Sequence, residues 1–345
     1  MEKNRLNKKD LGNFLTILKK HYSNIISPGL DDKNSPVFRL INSAQEIVLD
    51  KITPIKPPKE FLFPQSEELM TYDKNDSYTP TRIVEKTKFA IFGARPCDIK
   101  AIEYNNLFFG NKFNDPYYQS KRENLLLIGI SCEFPSSSCF CTTMGISPVE
   151  SSGSDLFLTN LGTDYLVEWV SDIGKAIQQF FAEILTEAKP EDEKMKIKIE
   201  ETTRSKLVEE INLTEIKGKI IQTYDKEDLW KNYSEVCIAC GACTFNCPTC
   251  TCFDVQEKME SLENGTRYRT WDSCQFYDFC LHASGHNPRG TKMQRLRQRI
   301  LHKYQYSIDQ LNQWSCTGCG RCIRSCPVGI NTRSILKDIK EELHG

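Results

Sequence analysis

The stretch Cys237-Ile-Ala-Cys240-Gly-Ala-Cys243-Thr-Phe-Asn-Cys247-Pro248 returns later in the chain as Cys316-Thr-Gly-Cys319-Gly-Arg-Cys322-Ile-Arg-Ser-Cys326-Pro327. Both copies follow C-x2-C-x2-C-x3-C-P, the run with which bacterial ferredoxins wrap a chain around an iron–sulfur cube. Three thiolates must reach three irons of one cube, so the chain has to turn tightly. Gly241 and Gly320 relieve crowding at that close approach and are suited to positive φ. The fourth cysteine of each run points away and serves the other cluster. The expected sets are therefore crossed: Cys237, Cys240, Cys243 and Cys326 for one 4Fe–4S cluster, and Cys316, Cys319, Cys322 and Cys247 for a second. Such crossing ties the two runs together, so metal binding is also folding energy. Zinc favours two separated C-x2-C pairs with four ligands in all, and a duplicated run closed each time by proline does not suit it. Four cysteine ligands per cluster leave no open iron, which points to electron transfer rather than substrate chemistry.

Working outward, the chain has 345 residues, 16 cysteines and a formal net charge of −1. Disulfide scaffolds are mostly small secreted domains; clustered thiols in a chain of this size read as metal ligands. The near-zero charge argues against bulk nucleic-acid binding. No apolar run approaches the roughly 20 residues of a membrane span, and the N-terminus lacks an apolar signal region. A soluble cytoplasmic protein is the expectation.

The first half reads as α/β. Leu11, Phe14, Leu15 and Leu18 share one helical face. Strands are expected over 88–92, 124–130, 155–159 and 165–170, a helix from Pro96, and another through Ile173, Ile177, Phe180 and Ile184. The charged stretch 189–218 reads as a surface helix or connector. The predicted organisation is α+β: an N-terminal α/β domain over 1–218, then a helix-rich dicluster ferredoxin domain over 219–345. Four cysteines of the first half, Cys97, Cys132, Cys139 and Cys141, suggest a third 4Fe–4S cluster. Cys97 and Cys132 each follow a strand, which puts both at one sheet edge, and Cys139 and Cys141 lie in a Ser-rich loop able to fold over a cluster. The alternative is a set of buried structural thiols. Cys250, Cys252, Cys274 and Cys280 remain. The first two are a rival ligand set or, more simply, packed thiols beside the second cluster.

Several blocks together resemble one family over almost the whole chain: Ala94-Arg-Pro-Cys-Asp-Ile-Lys-Ala-Ile102, Ser138-Cys-Phe-Cys-Thr-Thr-Met-Gly145, Cys247-Pro-Thr-Cys-Thr-Cys252, Arg267-Tyr-Arg-Thr-Trp-Asp-Ser-Cys274, Gly285-His-Asn-Pro-Arg289 and Cys319-Gly-Arg-Cys322. The chain resembles the 4Fe–4S dicluster ferredoxin subunit shared by anaerobic sulfite reductase and, as the beta subunit, by cytosolic sulfhydrogenase. The resemblance implies a complex in which a flavin subunit takes electrons from NAD(P)H. An iron–sulfur subunit then relays them to or from a siroheme sulfite reductase or a nickel–iron hydrogenase subunit. It also favours the third, N-terminal cluster. No catalytic residues are read from this chain, and no G-x-G-x-x-G follows a strand. Two other readings stay open: a relay for a heterodisulfide-reductase-like partner, and an enzyme with its own site in the N-terminal domain.

Arg289, Lys292, Arg295, Arg297 and Arg299, followed by His302 and Lys303, form a basic stretch. The plain reading is a solvated helix face; the functional ones are docking to an acidic partner or hydrogen bonds that raise a cluster potential. Trp271 and Trp314 are expected to shield a cluster from water. His282 and His286 are expected to be packed or hydrogen-bonded rather than ligating.

Overall fold

The computed structural model describes residues 2–74, 81–82, 86–207 and 211–344. Its strands are β1 (Lys3–Asn7), β2 (Asn24–Leu30), β3 (Pro36–Leu40), β4 (Ser66–Asp73), β5 (Thr81–Arg82), β6 (Phe89–Ala94), β7 (Leu125–Ile130), β8 (Leu156–Asn160), β9 (Asp164–Trp169), β10 (Leu185–Glu187), β11 (Phe253–Met259) and β12 (Asn264–Trp271). Eight of them form one sheet in the order β10-β1-β9-β8-β7-β6-β2-β3. β2, β6, β7 and β8 run parallel at its centre, and the outer pairs are antiparallel. β6 and β7 are buried at every residue, as expected of a sheet centre covered on both faces.

One apolar core on this sheet holds Phe14, Phe92, Ile128, Leu158 and Trp169. The other face holds Ile91, Ile99, Ile102, Leu127 and Phe157. The helix expected after β6 spans Pro96–Gly110, with Pro96 in its first turn, where a missing N–H costs nothing. The segment through Ile173 and Ile184 is not one α-helix. It is a turn and a half over Asp172–Ile177, tightened to a 3-10 helix over Gln178–Ile184.

The second sheet joins the two halves of the chain. Hairpin β11–β12, inserted between the two cysteine runs, pairs through β12 with β4 and thence β5. Arg269 of β12, 2 % exposed, fixes this joint: its guanidinium reaches Glu67 at 2.6 Å and Asp115 at 2.5 Å. Asp115 also accepts from the Tyr117 and Tyr118 amides and so caps the helix Pro116–Glu123.

A third core gathers Trp230, Ile300, Leu301, Tyr304, Ile335, Leu336 and Ile339, together with Ile211, Ile216 and Ile220. The charged stretch after 189 thus divides: Pro190–Arg204 is a helix with mostly exposed residues, and Ile211 to Ile220 dips into the C-terminal core. The basic stretch corrects its plain reading. It forms the helix Lys292–Leu301, opened by a Thr291–Gln294 capping box, and buries Arg295, Arg297 and Arg299. Arg295 donates to the carbonyls of Gln275, Arg289 and Gly290; Arg297 lies 3.7 Å from the Tyr224 ring centroid and donates to its carbonyl. Guanidinium groups with fixed carbonyl acceptors tolerate burial that free charges do not. No helix among the described residues is long and apolar enough to cross a membrane.

Candidate metal centres

The two cysteine runs fold alike. Ala239 and Gly318, at matching positions, both have positive φ (55° and 62°), as do Gly241 (75°) and Gly320 (69°). The left-handed turn aims the Ala239 amide at Cys237 Sγ and the Gly318 amide at Cys316 Sγ, each at 3.4 Å. Gly241 and Gly320 then start the short helices Ala242–Phe245 and Arg321–Arg324. A Cβ at Gly241 would stand 2.8 Å from the Phe276 ring, and one at Gly320 would stand 2.5 Å from the Ser138 carbonyl.

Three cavities are lined by cysteines. The first is lined by Cys237, Cys240 and Cys243 of the first run, with Cys326 and Cys322 of the second. The second is lined by Cys316, Cys319 and Cys322, with Cys247 of the first run. The third is lined by Cys97, Cys132, Cys139 and Cys141, with Cys319 of the second run. Cys97 lies in the first turn after β6 and Cys132 just beyond β7, so adjacent parallel strands deliver them to one sheet edge. Cys139 and Cys141 are carried there by a loop seated on the second run, where the Phe140 amide donates to the Gly318 carbonyl at 2.7 Å. Among the described residues no group of three His, Cys, Asp or Glu side chains is placed to hold a single metal ion. The thiols ring cavities instead of meeting at one point, as tetrahedral zinc with sulfurs about 2.3 Å away requires.

Buried donors around the second cavity test its fit to an anionic cube. Arg299 and Thr317 line it, and Arg299 Nε and Thr317 Oγ1 are buried with no partner among the described residues. Tyr304 Oη, buried on the same wall, has only the Cys316 thiol beside it. Each unpaired buried donor costs about 1–3 kcal/mol, and more when charged. The sulfurs of a 4Fe–4S cube are the acceptors such donors lack, so the residues present fit the group. Burial pushes the Cys139, Cys243 and Cys316 thiols up to about 12. Cluster binding must therefore expel protons that the metal-free thiols hold at neutral pH. Cys247 is held below the ordinary thiol range by the facing Cys250 thiol and by Lys303 and Arg299, which outweigh its burial.

The remaining cysteines do not line these cavities, although Cys250 faces Cys247. Cys250 and Cys252 follow Cys247, and Cys252 faces Cys274 across the end of the β11–β12 hairpin, where the Asp272 amide donates to the Cys252 carbonyl. Lys59, 3 % exposed, donates to the Cys250 carbonyl at 2.7 Å and lies over the Trp271 ring. Sequence reasoning gave Lys59 no role; nothing nearby in the chain marks it. Cys280 accepts from Arg289. His282 and His286 are exposed on a tight loop, not packed as expected, and their rings meet edge to face at 5.4 Å. Trp314 packs against Tyr304 beside the second cavity, and Trp271 donates to the Phe63 carbonyl.

Residues 236–330 match the family model described as a 4Fe-4S dicluster domain. Over 306 residues, 89 % of each chain, the sequence is 32 % identical to sulfhydrogenase 2 subunit beta of Pyrococcus furiosus. The chain belongs to the sulfhydrogenase beta-subunit family. Membership makes it an iron–sulfur protein of the ferredoxin type with a role in electron transport. The matched span takes in both cysteine runs and the β11–β12 hairpin between them, while the similarity to the Pyrococcus subunit extends over most of the chain.

Proposed function

We propose that this chain is the electron relay of a cytoplasmic, multi-subunit sulfhydrogenase. It passes single electrons between a flavin subunit that reacts with NAD(P)H and a nickel–iron catalytic subunit. The observation that carries the reading is the sharing of cysteines between neighbouring cavities: Cys322 lines the first and second, and Cys319 the second and third. Three 4Fe–4S clusters bound in this order would form one continuous path. Each bound cluster supplies reversible one-electron transfer.

The ligand sets of this reading are Cys237, Cys240, Cys243 and Cys326; Cys316, Cys319, Cys322 and Cys247; and Cys97, Cys132, Cys139 and Cys141. The chain's own residues hold those thiols at the cavity walls, exclude water and supply hydrogen bonds to sulfur. The first cavity reaches the surface at Cys240 and Ile238, both exposed, and this is one terminus of the path. In the proposed organisation an α/β domain over 1–218, whose last residues from Ile211 pack into the C-terminal core, carries the third cluster. A helical dicluster ferredoxin domain over 219–345 carries the other two. The short helices after each run and the long helix Thr332–His344 support its helical character.

A nickel–iron partner is favoured over a siroheme subunit because the Pyrococcus relative is named a sulfhydrogenase subunit. The test is an assay of the full chain purified without oxygen. It should exchange electrons with artificial dyes and show no hydrogen or sulfite turnover until the partner subunits are added. Robust turnover by the chain alone would remove the relay reading, and restoration by a siroheme subunit only would move it to sulfite reduction.

A further inference from the structure

Resting on the reading that the three cavities hold 4Fe–4S clusters, we infer that Arg299 and Lys303 make the middle cluster the deepest electron sink of the path. Reduction adds one electron, and hence one negative charge, to a cluster whose four thiolates already make it anionic. No proton is required. Distance from water by itself disfavours the added negative charge, but it leaves nearby cations unscreened, so the cluster lined by the most uncompensated positive charge is reduced first.

Arg299 and Lys303 are one turn apart and share a face of the helix that runs from Lys292 through a wider π turn at His302–Tyr306. Each is 3 % exposed, and both line the second cavity. Arg299 donates to the Cys243 carbonyl at 3.0 Å, and Lys303 to Thr249 Oγ1 at 3.1 Å and the Ser315 carbonyl at 2.8 Å. Among the described residues no aspartate or glutamate lines any of the three cavities. On the Cys247 side lies a third buried group, Lys59, whose acceptor is again a carbonyl and whose burial pulls its ammonium below the usual lysine range. All three therefore keep acceptors that solvate a cation without neutralising it.

The outer cavities differ. Behind the third, Arg321 is neutralised by Asp98 with both side chains fully buried, and the Glu133 carboxylate lies near Cys132. Arg95 and Arg324 also keep their charge on carbonyl oxygens and the Thr53 hydroxyl, but neither lines that cavity. The first cavity shares Arg299, but its Cys240 is exposed and solvent screens the charge there. Among the described residues, the second cavity alone of the three is lined by two buried cations with no buried carboxylate beside them.

The experiment is a potentiometric titration of the oxygen-free full chain, followed by EPR, for wild type, Lys303→Gln, Arg299→Gln and the charge-keeping Arg299→Lys. Lys303→Gln should make the first-reduced cluster at least tenfold harder to reduce, about 59 mV for a one-electron couple, and leave the last-reduced one within threefold. Arg299→Gln should weaken two clusters, and Arg299→Lys should restore most of that loss. If a variant loses iron, the wild type still decides. The signal that appears first must broaden twice as the two later clusters fill, because the middle cluster alone neighbours both. A first signal that broadens once, or a Lys303→Gln shift confined to a later wave, overturns the inference. Wild-type iron well below about twelve per chain overturns the three-cluster reading instead.

Discussion

The Arg321 guanidinium lies 2.6 Å from the Asp98 carboxylate through Nη1, and its Nη2 reaches the other oxygen at 3.2 Å, with both side chains 0 % exposed. Arg321 Nε donates to the Pro54 carbonyl, so each of the three guanidinium nitrogens has an acceptor. Asp98 follows Cys97 and Arg321 comes two residues after Cys319, so the bond clamps the third cavity onto the second. Breaking one partner of a buried pair strands the other charge, at a cost of about 3–5 kcal/mol. Asp98→Asn should lower the anaerobic melting temperature and loosen the third cluster. The double variant Asp98→Asn with Arg321→Met should recover part of the loss. Equal melting of Asp98→Asn and wild type would show the bond to be dispensable.

Crossing of the ligand sets predicts which cysteine losses add. Cys237→Ala with Cys326→Ala strikes one proposed cluster and should remove about four irons, whereas Cys316→Ala with Cys326→Ala strikes two and should remove about eight. Iron analysis of the two double variants distinguishes this from uncrossed ligation, which reverses the order.

The third cluster stands on the loop that carries Cys139 and Cys141. Replacing both by serine should remove about four irons and leave the EPR signals of the dicluster domain in place. Unchanged iron would mean that these thiols only pack.

That loop depends on Gly318. Its φ is 62°, and a Cβ there would collide with the Phe140 carbonyl and stand 2.6 Å from Cys141 Cα. Gly318→Ala should therefore unseat the loop and expose Cys141 to alkylation. Gly145, with φ 75° and nothing within 4 Å of an added Cβ, is the control. Gly145→Ala incurs only the left-handed strain of about 1–2 kcal/mol and should leave Cys141 protected.

What the sequence made legible was what repeats or runs without polar interruption. The two cysteine runs announced their shared turn, and the apolar runs at 89–94 and 125–130 announced the sheet centre that delivers Cys97 and Cys132 to one edge. Outer strands such as β1 and β10 carry Lys3, Arg5 and Glu187, whose solvent-facing side chains blur the alternation. The β11–β12 hairpin is exposed throughout β11, so it has no apolar signature; its place follows from pairing with β4, about two hundred residues away in sequence. The arginines of the Lys292–Leu301 helix looked solvated because charge is usually exposed. Their burial follows from carbonyl acceptors on distant segments, Tyr224 and Cys243, which no local pattern reveals. The Asp98–Arg321 bond, spanning much of the chain, was equally silent.

Quantitative iron and acid-labile sulfide analysis of the full chain, purified without oxygen, bears most directly on thiols from distant segments sharing iron–sulfur cubes. The expected content is about twelve of each per chain, with interacting EPR signals on reduction. Stoichiometric zinc, or protein that stays folded with no metal at all, would contradict it.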